Sequence, residues 1–409
     1  MTNPKLRFRS ADGSLFEDWK SVKVGDIAET CGGGTPATGN ASYWGGSIQW
    51  LTPTEINTKY VHSSERTITQ DGLKNSSAKL LPKGAIVLTT RATLGACSIN
   101  NFEGDVCTNQ GFQSLIGKSS VDSEFLYYLV ASKRFQKELE KKASGSTFLE
   151  VSPGNLKKIV VALPCKQEQD RIAQFFSTLD EKIDLVERKL TTLQTLKSGL
   201  MQKIFGQELR FRREDGSPYP TWVSKPLSEL ARVGDIDHRM PKSMTEGIPY
   251  LMTGDFAGKS EIKFDNVKQI SEDDYKLLSK KVKPENGDTI LARYASVGAA
   301  MYVDFDTCFL VSYSCVIIKP AEKINSKFLF YCLTSEYVQK QIKNEINASS
   351  QANIGMASVK KLQVVSPTLE EQNRIAAVLS AVDDKIRFAT KKVDLLKQQK
   401  QAFLQQMFV

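Results

Sequence analysis

The chain is written twice. Adding 203 to a residue number carries Leu6-Arg7-Phe8-Arg9 onto Leu209-Arg210-Phe211-Arg212, Asp12-Gly13-Ser14 onto Asp215-Gly216-Ser217, and Trp19 onto Trp222. The same offset carries Gly84 to Gly287, Gly95 to Gly298, Phe125 to Phe328, Pro164 to Pro367, Glu168-Gln169 to Glu371-Gln372, and Arg171-Ile172 to Arg374-Ile375. Two related modules in one chain predict approximate two-fold symmetry, which suits a target that is itself in two parts.

Length agrees, because 409 residues exceed what one hydrophobic core usually holds. Apolar runs such as Ile159 to Pro164 are too short to span a bilayer, and Met1 to Ser10 lacks a signal peptide's apolar core; a cytoplasmic protein is expected. Seven cysteines without a CxxC pair, and only His62 and His238, cannot build a zinc site, so no metal is expected. The net charge of +9 favours a polyanionic partner.

Between Leu6 and Ala28 the copies share 10 of 23 positions with Leu209 to Ala231. They diverge most from Glu29 to Lys83, where Ile48-Gln49-Trp50-Leu51 best matches Ile248-Pro249-Tyr250-Leu251 at an offset of 200. Insertions and deletions that cancel within one window indicate surface loops on a kept framework. Strands are expected at Ile48 to Leu51, Ala85 to Thr90, Ala96 to Ile99 and Ser114 to Ile116. In the second copy they are expected at Tyr250 to Met252, Asp288 to Ala292, Ala300 to Val303 and Cys315 to Ile318. One helix follows in each copy, Ser123 to Lys141 and Ser326 to Lys343. The expected fold class is α+β, with two mixed α/β globular modules at 1–165 and 207–368.

Each copy ends in a long helix, 166–206 and 369–409. Ile172, Phe176, Leu179, Ile183, Val186, Leu190, Leu193, Lys197, Leu200 and Ile204 step by 4 and 3 without a slip. Ile375, Leu379, Val382, Ile386, Ala389, Val393, Leu396, Lys400, Phe403 and Met407 do the same. Such spacing is a coiled-coil seam, and chain connectivity makes the two helices antiparallel. Their span of roughly 50 Å would then separate the modules as a ruler. Thr368-x-x-Glu371 reads as a capping box. Lys197 and Lys400 share one seam position: either they set register, or they sit near a helix end with their heads in water, the simpler expectation. Beside the seam a second apolar stripe, Phe175, Leu185, Leu196 and Met201 with Val378, Phe388, Leu395 and Leu404, predicts a surface for partner helices. Residues 1–20 should pack beside the end of the second long helix.

No catalytic centre emerges. Gly32-Gly33-Gly34-Thr35-Pro36 lacks the Gly-Lys-Ser/Thr of a phosphate-binding loop. Glu140-Lys141-Lys142 and Glu187-Arg188-Lys189 fall on helices without a strand aspartate, and no hydrolase or amino-methyltransferase signature is present. What remains is a polar, basic and aromatic surface suited to reading DNA. The candidates are Thr35, Tyr43, Trp44, Lys59, Arg66, Lys79, Arg91, Asn109 and Gln110 in the first module. In the second they are His238, Arg239, Lys242, Lys259, Arg293, Tyr294, Tyr313 and Gln351. Arginine on guanine, asparagine or glutamine on adenine, and lysine on phosphate are the expected roles. Ser144 to Thr147 and Asn347 to Gln351 are equivalent Gly/Ser-rich segments, either turns or backbone-approaching loops.

Over its whole length the chain resembles the specificity subunit of type I restriction–modification enzymes. The resemblance rests on several features together. One is the Leu-Arg-Phe…Trp opening of each half. Another is the stretch from Gly33-Gly34-Thr35-Pro36 through Tyr43-Trp44-Gly45-Gly46 to Ile48-Gln49-Trp50-Leu51-Thr52. The third is the Pro-x-x-x-Glu-Gln-x-Arg-Ile entry to each long helix at Pro164 and Pro367. The second half departs from the pattern, with Ile236-Asp237-His238-Arg239 in place of the Gly-Gly-Thr-Pro run. The resemblance implies two target recognition domains, double-stranded DNA as ligand, and a non-catalytic subunit that joins two modification subunits to restriction subunits. S-adenosylmethionine, ATP and Mg would then be bound by those partners and none by this chain. A freestanding DNA-binding regulator and a non-DNA coiled-coil scaffold stay open on the residues alone.

Overall fold

β-branched and aromatic residues in short alternating runs become strands whose inner faces build each core. The computed structural model describes residues 4–145, 149–259, 262–346 and 352–408. It divides into two units, Met1–Val186 with Lys392–Val409, and Glu187–Lys391.

In the first unit a five-stranded sheet runs in the order Ala28–Gly32, Gln113–Gly117, Ile86–Leu88, Cys97–Asn100, Tyr60–Val61, antiparallel except for the last pair. A second sheet joins Arg66–Ile68, Trp44–Leu51 and Val106–Thr108. A ribbon pairs Lys20–Lys23 with Val160–Leu163. The second unit repeats the plan. Its larger sheet orders Ala231–Gly234, Cys315–Pro320, Thr289–Ala292 and Ala300–Tyr302; the smaller joins Lys268–Ile270, Ile248–Leu251 and Leu310–Val311; the ribbon pairs Val223–Pro226 with Gln363–Ser366. Register is kept as well: Ala28 faces Gly117, and Ala231 faces Pro320. The α+β reading holds, and every expected strand forms close to its anticipated limits, the largest extension being the start of Trp44–Leu51.

The single helix expected after the sheets is two in each copy: Ser123–Ala131 with Lys133–Lys141, and Ser326–Thr334 with Glu336–Asn344. Ser132 and Ser335 break it in extended conformation, with ψ of 144° and 153°. Each hydroxyl donates back, to Leu129 O at 2.7 Å and Cys332 O at 2.6 Å, a local alternative to the helical ladder.

The long helices are Lys166–Phe205 and Leu369–Met407. Every seam residue named above is buried or half-buried. Within each unit the two helical stretches run antiparallel: Lys400 meets Asp180 while Phe403 packs on Phe175, and Lys197 meets Asp383 while Ile204 joins the core that contains Ile375. Each unit is closed by an aromatic at the end of the incoming helix. Phe408 packs edge-on to Trp19 at 6.4 Å and against Phe125 at 5.7 Å; Phe205 does the same to Trp222 and Phe328 at 6.3 and 5.8 Å. The Leu6 amide also donates to Gln406 O at 3.4 Å, so the N-terminal segment packs where the repeat predicts.

The repeated motifs meet each other at a buried carboxylate. Glu168, fully buried, accepts from Arg7 Nε and Nη2 at 3.1 and 2.8 Å and from Trp19 Nε1 at 2.9 Å. Glu371, equally buried, accepts from Arg210 at 2.8 and 3.0 Å and from Trp222 Nε1 at 2.9 Å. The hydrogen bond to Glu168 raises the Arg7 guanidinium pKa further. The capping box is therefore only half realised. Thr368 Oγ1 accepts from the Glu371 amide at 3.4 Å, but the Glu371 carboxylate turns to Arg210 and Trp222.

Lys197 and Lys400 stay partly exposed, but each head turns to a carboxylate and a phenol instead of lying free in water. Lys197 Nζ lies 2.6 Å from Asp383 and 5.5 Å from the Tyr331 ring, and Lys400 Nζ lies 2.5 Å from Asp180 and 5.5 Å from Tyr128. Each aspartate also accepts from that tyrosine at 2.7 Å, and burial pushes both phenols up. The lysines pin the seam to the modules. Replacing both with leucine should take the lysine from Asp383, leave Asp180 only the more distant Lys59 at 3.9 Å, and lower stability by roughly 1–3 kcal/mol. Thermal denaturation checks this, and an unchanged or raised midpoint would refute the pinning role.

Candidate nucleic-acid interface

The glycine run after Ala28–Gly32 exists for close approach more than for flexibility. A Cβ on Gly33 would lie 1.9 Å from Asn109 O, and one on Gly34 would lie 2.3 Å from the Ala78 nitrogen. The Gly34 carbonyl accepts from Trp50 Nε1 at 2.8 Å. The run therefore lies flat on the turn at Asn109–Gly111, whose Asn109 Oδ1 accepts from the Gly111 amide at 2.8 Å. This places Thr35 against Gln110, and the threonine hydroxyl donates to Gln110 Oε1. Alongside, the Arg66 guanidinium lies 3.7 Å over the Trp44 ring and 5.3 Å from Trp50. Trp44 itself donates to Ala37 O at 3.3 Å, and Tyr43 O accepts from the Thr69 amide at 2.9 Å. Gln110, Arg66 and Lys79 are exposed, whereas Thr35, Tyr43, Trp44 and Asn109 are half-buried. Arg91, also exposed, lies 3.6 Å from Glu150.

In the second unit His238 stacks on Tyr313, with centroids 5.4 Å apart and planes at 23°. His238 Nε2 lies 2.9 Å from Asp235 Oδ2. Arg239 pairs with Asp274, and Asp237 with Lys281, whose hydrogen bond holds that carboxyl below its ordinary value. Lys242 and Lys259 are exposed, and Tyr294 bridges by backbone to Asn353. Gln351 lies outside the described residues, as do Ser146, Thr147 and Asn347 to Ser350.

Two candidates are internal. Lys59 donates to Tyr128 Oη at 2.7 Å and Ser177 Oγ at 2.9 Å and pairs with Glu124 at 2.5 Å. It ties its module to the first long helix and has no free head for phosphate. Arg293, 6% exposed, donates to Ile354 O at 3.1 Å and Asp235 at 3.0 Å, so it braces the surface from beneath. Sequence reasoning missed Asp235, which both Arg293 and His238 engage.

The apolar stripe needs a similar correction. Phe175 packs on Phe8 and Phe403 at 5.6 and 5.2 Å, and Met201 and Leu404 pack on their own units' cores. Val378 is half-buried. The residues that stay open are Leu185 (63% exposed) and Leu395 in the first unit, and Phe388 (69% exposed) and Leu196 in the second. No helix among the described residues is long and apolar enough to cross a membrane.

The chain belongs to the type I restriction–modification DNA specificity family, whose domain model matches it twice, over residues 16–195 and 219–398. Recognition of DNA by such a subunit is the reading that stands, ahead of a freestanding regulator or a non-DNA scaffold. The type I restriction enzyme MjaIX specificity subunit of Methanocaldococcus jannaschii is 35% identical over 239 residues, 57% of this chain and 55% of that relative, so the match spans about half the relative's length. The MjaVIII specificity subunit of the same organism is 22% identical over 403 residues, 95% of this chain and 91% of the relative. Among solved structures, the type I S subunit from M. genitalium superposes with a TM-score of 0.63 at 16% identity, over 100% of this chain and 99% of that one. A chain from a type I system studied for complex assembly and conformational transition gives 0.56 at 19% identity, over 95% and 96%. At those identities the likeness speaks for the fold.

Proposed function

We propose that this chain reads an asymmetric DNA target in two parts, one half-site per module, and carries no catalytic step itself. Two modification subunits seat on it and methylate adenine, and restriction subunits complete the assembly. S-adenosylmethionine, ATP and Mg belong to those partners. The observation that carries the reading is one framework used twice beneath two unlike surfaces, Thr35–Gln110 with Arg66–Trp44 in one unit and His238–Tyr313 in the other. A shared framework explains common ancestry, and unlike surfaces call for unlike half-sites. Methylome sequencing of the host with and without this gene should show one interrupted, asymmetric methylated motif that disappears with it. An unchanged methylome would remove the proposal.

The exposed apolar positions on the long helices supply the seat for the modification subunits. Leu185 and Phe388 are 203 residues apart, so the seat is itself duplicated. Glutamate at both should weaken capture of the modification subunit at least about 10-fold, since a well-buried apolar anchor contributes 2 kcal/mol or more. Unfolding midpoints should stay unchanged, because both side chains are open in the free chain. Undiminished capture in a pull-down would move the seat elsewhere.

A further inference from the structure

The pair Thr35–Gln110 and the pair His238–Tyr313 occupy the same place in the two modules. Thr35 and His238 are 203 residues apart, as are Gln110 and Tyr313. The backbone beneath them repeats too. The Asn109 amide donates to Leu51 O at 3.0 Å, and the Ser312 amide to Leu251 O at 2.9 Å; the Thr90 amide reaches Gly111 O, and the Arg293 amide Ser314 O, at 2.9 and 2.8 Å. Even the tight approach has its counterpart. Where Gly34 abuts Ala78, Asp237 pairs with Lys281, again 203 residues on.

Resting on the proposed two-part target, we infer that these two pairs are the base-reading positions of the two modules, each presenting a different chemistry to base edges of double-stranded DNA. In the first, Gln110 spends Oε1 on the Thr35 hydroxyl and keeps its amide N–H groups as donors for a base acceptor. In the second, His238 Nε2 is engaged by Asp235, which leaves Nδ1 as the ring atom for a base edge. Arg293 fixes Asp235, and Tyr313 backs the imidazole as a flat plate. Both surfaces are rigidly supported, and rigid support is what selective readout demands. Lysines stand close by for phosphate: Lys79 follows Ala78, against which Gly34 packs, and Lys280 precedes Lys281, which pairs with Asp237.

The test uses the full chain with its modification subunits in the host. Gln110→Ala should relax one base position in one half-site, and His238→Ala one position in the other, each lowering discrimination there roughly 5- to 150-fold by methylome sequencing. The untouched half-site reports that each variant is folded and assembled. A variant that methylates nothing is purified and competed against duplexes with single base-pair changes; the same ranking as the parent chain overturns the inference, and so does an unchanged motif in both variants. If the parent chain itself directs no two-part motif, it is the underlying reading that has failed.

Discussion

Glu168→Leu is expected to destabilise the first unit by about 3–5 kcal/mol, the usual consequence of breaking a buried ion pair from one side. The carboxylate is fully buried and accepts three hydrogen bonds from Arg7 and Trp19. Its loss leaves a guanidinium whose side chain is 8% exposed with only the exposed Asp18, 3.6 Å away, as a counter-charge, and takes from the half-buried Trp19 indole its carboxylate acceptor. The matching Glu371→Leu should cost less, because Arg210 is 26% exposed and can recover solvent. The two variants therefore act as internal controls in denaturant titrations of the full chain, the Glu168 variant unfolding first. Adding Arg7→Leu to Glu168→Leu should restore part of the loss, since no unpaired charge then remains buried. Equal effects at the two sites, or a shift under about 1 kcal/mol at Glu168, would mean that the carboxylate is not the fastening point.

The repeat was legible in the letters, and with it the two modules, the strands, the long helices and their antiparallel seam. The 4-3 spacing is a one-dimensional signal, so a single chain displays it without any knowledge of contacts. The clamp that Arg7 and Trp19 form on Glu168 was visible only as repeated motifs, because Arg7 and Glu168 are 161 residues apart and nothing local marks their pairing. One signal was available: Arg210 and Glu371 repeat the same separation of 161, and a charge kept at matched distances in both copies is a candidate ion pair. The errors among the DNA candidates share a cause. Lys59 and Arg293 are long cations whose heads turn inward to carboxylates, and sequence does not say which way a flexible side chain turns. Phe175 was misplaced for the related reason that an off-seam aromatic can pack on its own module as well as on a partner. The helix breaks at Ser132 and Ser335 yielded to a serine that bonds its own backbone, a choice propensity alone underweights.

Exchanging residues 29–160 for those of a relative should replace one half-site wholly and leave the other unaltered. The cut points are sound: residue 29 lies in Ala28–Gly32 and residue 160 begins Val160–Leu163, whose partner Lys20–Lys23 stays behind with the clamp. Both ends thus meet regular hydrogen-bonded backbone instead of a loop. The segment carries Thr35, Gln110, Arg66 and Trp44 away together, so the reading surface travels as a unit. It packs on the first long helix through a shared core, Phe125 and Tyr128 against Ile172 and Phe176, and through polar ties. Lys59 reaches Ser177, and Tyr128 reaches Asp180, so a donor lacking these partners should unfold more readily without changing what it reads. Each base pair mismatched to a half-site costs about 1–3 kcal/mol, nearly additively. The parent half-site should therefore fall by roughly 30-fold or more in preference once two or more of its positions are read differently. The second unit, Glu187–Lys391, contains none of the exchanged residues, which is why its half-site should persist. Methylome sequencing of the exchanged chain gives the answer directly. Alteration of both half-sites together, or a target that proves to be one continuous palindrome, would show that the modules do not read independently.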